Sequence, residues 1–183
     1  METFFAILTL TAIVVVFTNE FFQQRLGVSP MPTVPRVRRE MLHQIPQGTI
    51  GGIVEFGAGW GGVSFAAARA FPHCKVVGVE YSLFPFLALY LRRALTPGLA
   101  NLTFVRRDFF TFPLQGVSVV LCYLSIPLMA RLREKFEAEL PAGSTVISST
   151  FPVAGWEPQK VSDIKGLWKT RIFVYQPKGG VGV

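Results

Sequence analysis

The stretch Glu55-Phe56-Gly57-Ala58-Gly59-Trp60-Gly61-Gly62 decides the fold, because it joins an apolar run to an alanine-rich one. Glycines at this spacing let the backbone turn sharply out of a strand and let a ligand reach the free amides at a helix amino end. The stretch therefore predicts a strand, a ligand-binding turn and a helix in direct succession.

Strand-like and helix-like segments alternate on both sides of the glycine stretch. Apolar, β-branched runs predict strands over residues 50–56, 75–80, 102–105, 117–123, 145–151 and 168–175. Amphipathic or alanine-rich spacing predicts helices over residues 37–45, 61–71, 84–95 and 126–140. Such alternation is typical of an α/β protein with a parallel, Rossmann-like sheet covered by helices on both faces. We expect the last strand to lie at the sheet edge.

Composition excludes several classes of protein. The chain has 183 residues, of which 50% are hydrophobic and 16% charged, so it can build one domain with an ordinary core and is not disordered. Two cysteines and two histidines cannot supply a disulfide framework or a clustered zinc site, so we expect no metal. The net charge of +7 suggests a membrane surface, an acidic partner or nucleic acid.

An uncharged apolar run, Thr3 to Thr18, opens the chain. Phe, Ile, Leu and Val side chains in it each favour bilayer insertion by about 0.3–0.6 kcal/mol. The run would rise only about 24 Å as a helix against a hydrocarbon core of about 30 Å, so a span must borrow residues up to Phe22. We expect residues 1–24 to form a single membrane-anchor helix.

Two other interpretations of this run stay open, a cleaved signal peptide and a buried core helix. The flanks disfavour a signal peptide, since Glu2 and no Lys or Arg precedes the run and no small-residue cleavage site follows. Four arginines come after it: Arg25, Arg36, Arg38 and Arg39. By the positive-inside rule they predict a single-pass protein with the rest of the chain facing the cytoplasm.

Three prolines between Ser29 and Pro35 disfavour helix and predict an extended linker over residues 25–36. The main folded domain then follows over residues 37–178.

The glycine stretch fits two ligand-binding patterns. Gly57, Gly59 and Gly62 match the dinucleotide pattern G-x-G-x-x-G. Glu55, Gly57, Gly59 and Gly61 match an acidic-x-G-x-G-x-G loop that holds S-adenosylmethionine. Either match alone is weak evidence for the ligand that it suggests.

Three acidic residues favour S-adenosylmethionine. Glu55 would attract its positively charged amino end and repel a pyrophosphate. Glu80 ends the second predicted strand, where a carboxylate can accept both ribose hydroxyls of either ligand. Asp108 follows the third strand, where it could meet the adenine amino group with Phe109 beside the ring. The chain after the loop is also too short to hold the second domain of a dehydrogenase.

With these features the chain resembles the class I, seven-stranded S-adenosylmethionine-dependent methyltransferases over about residues 36–176. The resemblance implies that Glu55, Gly57, Gly59 and Gly61 contact the methionine end, and that Glu80 and the adjoining Tyr81 lie at the ribose. It also implies that Asp108, with Phe109, lies at the adenine.

The chain is more closely similar to small membrane-anchored protein-lysine methyltransferases. The matching pieces are Val34-Pro35 leading to Met41-Leu42, and Phe151-Pro152 followed by Gly155-Trp156. Trp60 and the tract at Ser149-Thr150 depart from that family's pattern.

Three aromatic residues are candidates for the acceptor pocket: Tyr123, Phe151 and Trp156. Tyr123 ends the fourth strand, where class I enzymes meet their acceptor, and is the one candidate catalytic residue. A core role is open for all three. The predicted acceptor is a nitrogen, foremost a protein lysine; a lipid or quinone is the alternative, and RNA is less favoured because of the membrane segment.

Overall fold

The protein is described here by a computed structural model covering residues 1, 3–7, 9–11, 33–166 and 170–177. Residues 33–166 and 170–177 form alternating helices and strands. In chain order these are α1 (Pro35–His43), β1 (Gly52–Phe56), α2 (Gly62–Ala70), β2 (Lys75–Glu80), α3 (Leu83–Ala94), β3 (Leu102–Arg106), a 3-10 helix (Phe109–Thr111), β4 (Val117–Cys122), α4 (Ile126–Glu139), β5 (Thr145–Ser149), β6 (Lys160–Ile164) and β7 (Thr170–Tyr175).

The strands make one seven-stranded sheet in the order β3-β2-β1-β4-β5-β7-β6. Strands β1 to β5 pair in parallel, whereas β7 runs antiparallel to both β5 and β6. The predicted Rossmann-like α/β sheet is confirmed, with one antiparallel strand making it mixed. The strand order reverses between β1 and β4, and ligands bind at the carboxyl ends of the strands beside such a switch point.

The predicted edge position of the last strand is wrong. β7 lies between β5 and β6, and β6 forms the edge. Strand β6, with the sequence Lys-Val-Ser-Asp-Ile, is short and largely exposed. Its sequence has no apolar run from which a strand could be predicted. Charged residues on a short strand are typical of a protected sheet edge. Trp168, the predicted start of the last strand, β7, lies outside the described residues.

Helices cover both faces of the sheet, as predicted. Val37 and Met41 of α1, Phe65 of α2 and Leu89 of α3 pack in one buried apolar cluster. Met129, Leu132 and Phe136 of α4 belong to a second cluster on the other face.

Helix α1 starts at Pro35, within the predicted linker. Proline is tolerated at the first helical position because its missing N–H would have no partner there.

Near the amino terminus, residues 3–7 and 9–11 are helical and exposed. Among the residues that the structure describes, no helix is both long and apolar enough to cross a membrane. Residues 12–24 of the predicted anchor, and most of the predicted linker, lie outside the described residues.

Candidate active site

The glycine turn between β1 and α2 is the central part of the candidate site. Gly57, Gly59 and Gly61 have φ angles of 71°, 51° and 77°, which side chains rarely adopt. The amides of Gly57 and Ala58 donate to the carbonyl oxygen of Val79 at 2.9 and 3.0 Å, which ties the turn to β2. The turn therefore follows β1 directly, as the sequence predicts, and it is also held at the carboxyl end of β2.

Two of these glycines stand where there is no room for a side chain. A Cβ atom on Gly57 would lie 2.8 Å from Leu124 Cδ2, and one on Gly61 would lie 2.4 Å from Leu89 Cδ2. A Cβ atom on Gly59 would meet nothing closer than the carbonyl oxygen of Gly57 at 3.9 Å. Gly57 and Gly61 thus allow close packing, whereas Gly59 leaves open space in which a ligand can approach the backbone.

Glu80 is held firmly at the end of β2. Its Oε2 accepts from the amide of Gly59 and its Oε1 from the amide of Ser82, both at 2.8 Å, and the residue is only 8% exposed. Each carboxylate oxygen keeps a further lone pair for a hydroxyl donor. This arrangement fits a ligand with two neighbouring hydroxyls, and the ribose contact stays a prediction.

Glu55 lies beneath the turn, where it fastens α2 to β1. Its Oε2 accepts from the Ser64 amide at 2.7 Å and from the Ser64 hydroxyl, which satisfies a free amide in the first turn of α2. The pKa of Glu55 is raised from its ordinary value to about 8, because burial, with a smaller contribution from the nearby Glu80 charge, outweighs the two Ser64 hydrogen bonds that lower it. A positively charged amino group beside Glu55 would lower that pKa again.

Ser64 is a site residue that the sequence interpretation missed. It lies two residues beyond the start of α2 and within the alanine-rich run, so no pattern distinguishes it from a small core residue.

The predicted adenine side of the site is less fully formed. Asp108 caps the 3-10 helix, accepting from the Phe110 amide at 2.9 Å, and is exposed. The Phe109 ring stacks on Phe56 at 5.4 Å between centroids and is only 9% exposed. Phe109 therefore presents little ring surface in this conformation, and its adenine contact stays a prediction, as does that of Asp108. Tyr81, beside Glu80, is half exposed.

Tyr123 and Phe151 come together across the carboxyl ends of β4 and β5. Their rings stack at 6.3 Å between centroids with an interplanar angle of 15°, and both are partly exposed. Thr150, with a φ of 68°, turns the chain just before Phe151, and such a conformation is rare for a β-branched residue. The Ser125 hydroxyl, at the start of α4, is buried without a hydrogen-bond partner among the described residues.

The prediction that Trp156 shares this pocket needs correction. Its ring packs on Tyr175 and Phe136, and its Nε1 donates to Glu137 Oε1 at 2.9 Å. Tyr175 pairs with Val146 near the start of β5, and Glu137 is near the end of α4. This contact therefore lies toward the amino-terminal ends of the parallel strands, away from the carboxyl ends that hold the glycine turn. Trp156 is held by core packing, and the indole satisfies its donor there.

The sheet order, the glycine turn and the carboxylate at the end of β2 together define a class I S-adenosylmethionine-dependent methyltransferase. The chain matches the profile described as "ANTKMT methyltransferase domain" over residues 55–160, more than half of its length, and belongs to that family.

Two curated relatives are similar over most of the chain. A protein-lysine N-methyltransferase of Saccharolobus islandicus (strain REY15A) is 30% identical over 151 residues, which cover 79% of this chain and 91% of the relative. The adenine nucleotide translocase lysine N-methyltransferase of Mus musculus is 29% identical over 136 residues, 73% of this chain and 56% of the relative. The match thus spans little more than half of the mouse protein.

A solved structure supports the fold. An RNA methyltransferase from Salinibacter ruber, in complex with S-adenosyl-L-homocysteine, superposes with a TM-score of 0.73 at 22% identity. The match covers 81% of this chain and 95% of that one. At 22% identity this similarity shows a shared fold and nothing about the substrate.

Glu80→Ala is expected to weaken S-adenosylmethionine binding about 10- to 100-fold, since charge-assisted hydrogen bonds contribute roughly 1.5–3 kcal/mol. Calorimetric titration measures this loss, and thermal unfolding shows whether the freed amides of Gly59 and Ser82 also weaken the fold. Glu134→Ala, at an exposed position on α4, is the control and should bind normally. Equal affinity in Glu80→Ala and wild type would remove Glu80 from the donor site.

Proposed function

We propose that this methyltransferase modifies a lysine side chain of a membrane protein. The observation that carries the proposal is the match to the archaeal protein-lysine N-methyltransferase, which spans 91% of that enzyme at 30% identity. The mouse relative, named as an adenine nucleotide translocase lysine N-methyltransferase, supports it over the shared part.

The stacked pair Tyr123 and Phe151 is the proposed entrance for the acceptor. The two rings lie at the ends of β4 and β5, adjoining the glycine turn at the end of β1 in the sheet order. Flat aromatic surface suits the apolar stem of a lysine and attracts its charged end. The Tyr123 hydroxyl is the proposed hydrogen-bond acceptor for the amine, which makes Tyr123 the candidate catalytic residue.

The chemistry asks little of the protein beyond alignment. S-adenosylmethionine supplies a methyl group activated by a positively charged sulfur. An acceptor lysine must first release a proton to solvent water, and its neutral amine must then be held in line with the methyl group with water excluded. Glu80 and the glycine turn would fix the donor, and Tyr123 and Phe151 would fix the amine.

The acceptor class is tested by labelling. Membranes from cells that lack the enzyme should take up radioactive methyl groups from S-adenosylmethionine with wild-type protein and much less with Glu80→Ala. Mass spectrometry should then find the label on lysine of a membrane protein. Label in a lipid or quinone, with every lysine unchanged, would contradict the lysine proposal in favour of that alternative.

The membrane location is a second part of the proposal. Residues 1–24 would anchor the chain, and the arginines that follow, Arg25, Arg36, Arg38 and Arg39, would keep the catalytic domain in the cytoplasm. The full chain should stay in the membrane pellet after alkaline carbonate treatment, and a carboxyl-terminal reporter should work in the cytoplasm. Release by carbonate would contradict the anchor, and a reporter active only outside would reverse the orientation.

A further inference from the structure

Helix α3 carries an apolar face on its outer side. The exposed apolar residues, here called the α3 face, are Leu83, Phe84, Leu87, Tyr90, Leu91, Ala94 and Leu95 at the helix end. At about 100° per residue they form a stripe roughly 140° wide. Leu87, Leu91 and Leu95 are 50%, 61% and 74% exposed, respectively.

This pattern is the reverse of an ordinary surface helix. The buried residues of α3 are Pro85 and Leu89, and its outer side should therefore be polar. Among the exposed residues of the helix, Arg92 is the one with a charge, and α3 contains no Asp or Glu. A continuous exposed apolar surface of this kind marks a site that another phase or molecule covers.

Arginines and aromatic residues border the α3 face where it nears the donor site. Arg92 Nη1 donates to the carbonyl oxygen of Trp60 at 2.8 Å, and Arg106 Nε donates to that of Tyr81 at 3.3 Å. Trp60 and Tyr81 are 47% and 50% exposed, respectively. An apolar centre with Trp, Tyr and Arg at its rim matches the composition of protein surfaces that meet the bilayer interface.

We propose that the α3 face lies in the interface of an anionic lipid bilayer and turns the donor site toward the membrane. The positive rim complements anionic headgroups. A symmetric pairing with a second copy is less favourable, because it would bring two positively charged rims to one interface with no acidic residue on α3 to neutralise them. The inference rests on the proposed membrane location of the enzyme, and the experiment below separates the two.

The test places an environment-sensitive fluorophore on the α3 face. Cys74 and Cys122 are 1% and 0% exposed, so a single added thiol can be labelled selectively. Leu91→Cys and Leu87→Cys report the face at two exposed positions, and Ala138→Cys, exposed on α4, is the matched control. The full chain is reconstituted into phosphatidylcholine and phosphatidylglycerol vesicles with or without spin-labelled acyl chains, and flotation measures how much protein is bound.

The probes at positions 87 and 91 should shift their emission to the blue and lose intensity in the presence of spin-labelled lipid, while that at 138 should do neither. Protein that floats with unquenched, water-exposed probes at 87 and 91 would overturn the inference and leave the anchor standing. A blue shift without lipid quenching would also overturn it, because the α3 face would then be covered by a second copy or by another part of the same chain. Protein that does not float would contradict both proposals.

Discussion

Gly61→Ala is expected to destabilise the domain by about 2–5 kcal/mol. A φ of 77° costs a residue with a Cβ atom about 1–2 kcal/mol. The added methyl would also lie 2.4 Å from Leu89 Cδ2 and 3.0 Å from Phe65 Cδ2. Both side chains are 1% exposed and have little room to move, and overpacking a core costs about 1–3 kcal/mol more.

Gly59→Ala is the matched control for this effect. Gly59 also has a positive φ, of 51°, but its added methyl would find open space. The variant should therefore lose only the conformational part, about 1–2 kcal/mol, while its methyl group obstructs the donor. Urea unfolding followed by tryptophan fluorescence measures stability, and calorimetric titration measures donor affinity. Equal destabilisation of the two variants would contradict the packing argument.

Regular elements of the fold could be predicted from the sequence because their signals are local. The apolar-rich stretch Lys-Val-Val-Gly-Val-Glu, which ends in a charged residue, predicts strand β2 over residues 75–80, and the structure confirms these bounds. The positions of the glycine turn and Glu80 are predictable for the same reason, because spacing along the chain alone fixes them at the carboxyl ends of β1 and β2.

Contacts between distant residues were not accessible in this way. Ser64 binds Glu55 because α2 begins directly above the end of β1, and nothing in the sequence around Ser64 records that geometry. Trp156 follows β5 closely enough to suggest the pocket, yet the chain turns back and packs its ring on Tyr175. Strand β6 is recognisable only from its pairing with β7.

The outer side of α3 is a different kind of case. Its sequence predicted a helix over residues 84–95, and the structure confirmed it as Leu83–Ala94. Apolar residues of that helix fall on every side of it, so their spacing in the sequence does not predict which of them face outward. The structure settles this by burying Leu89 and exposing Leu87 and Leu91.

Glu55→Gln is expected to change how the stability of the protein depends on pH. The pKa of Glu55 is raised by burial from an ordinary value of 4.5 to about 8, so folding favours the protonated form. Below about pH 4.5 the carboxyl is neutral in both folded and unfolded chains and costs nothing. As pH rises toward 8 the unfolded chain ionises first, and the free energy of unfolding falls by about 1.4 kcal/mol per pH unit, a few kcal/mol in all.

Glutamine keeps an oxygen that can accept from the Ser64 amide and hydroxyl, but it cannot ionise. Glu55→Gln should therefore match wild type near pH 4.5 and become the more stable protein as pH rises to 8. Urea unfolding at several pH values measures this difference, in which the titration of other carboxylates cancels. Glu134→Gln, exposed on α4, should show no such divergence. A difference between Glu55→Gln and wild type that stays constant from pH 4.5 to 8 would mean that Glu55 is ionised in the folded protein. The Ser64 bonds would then outweigh the cost of burial.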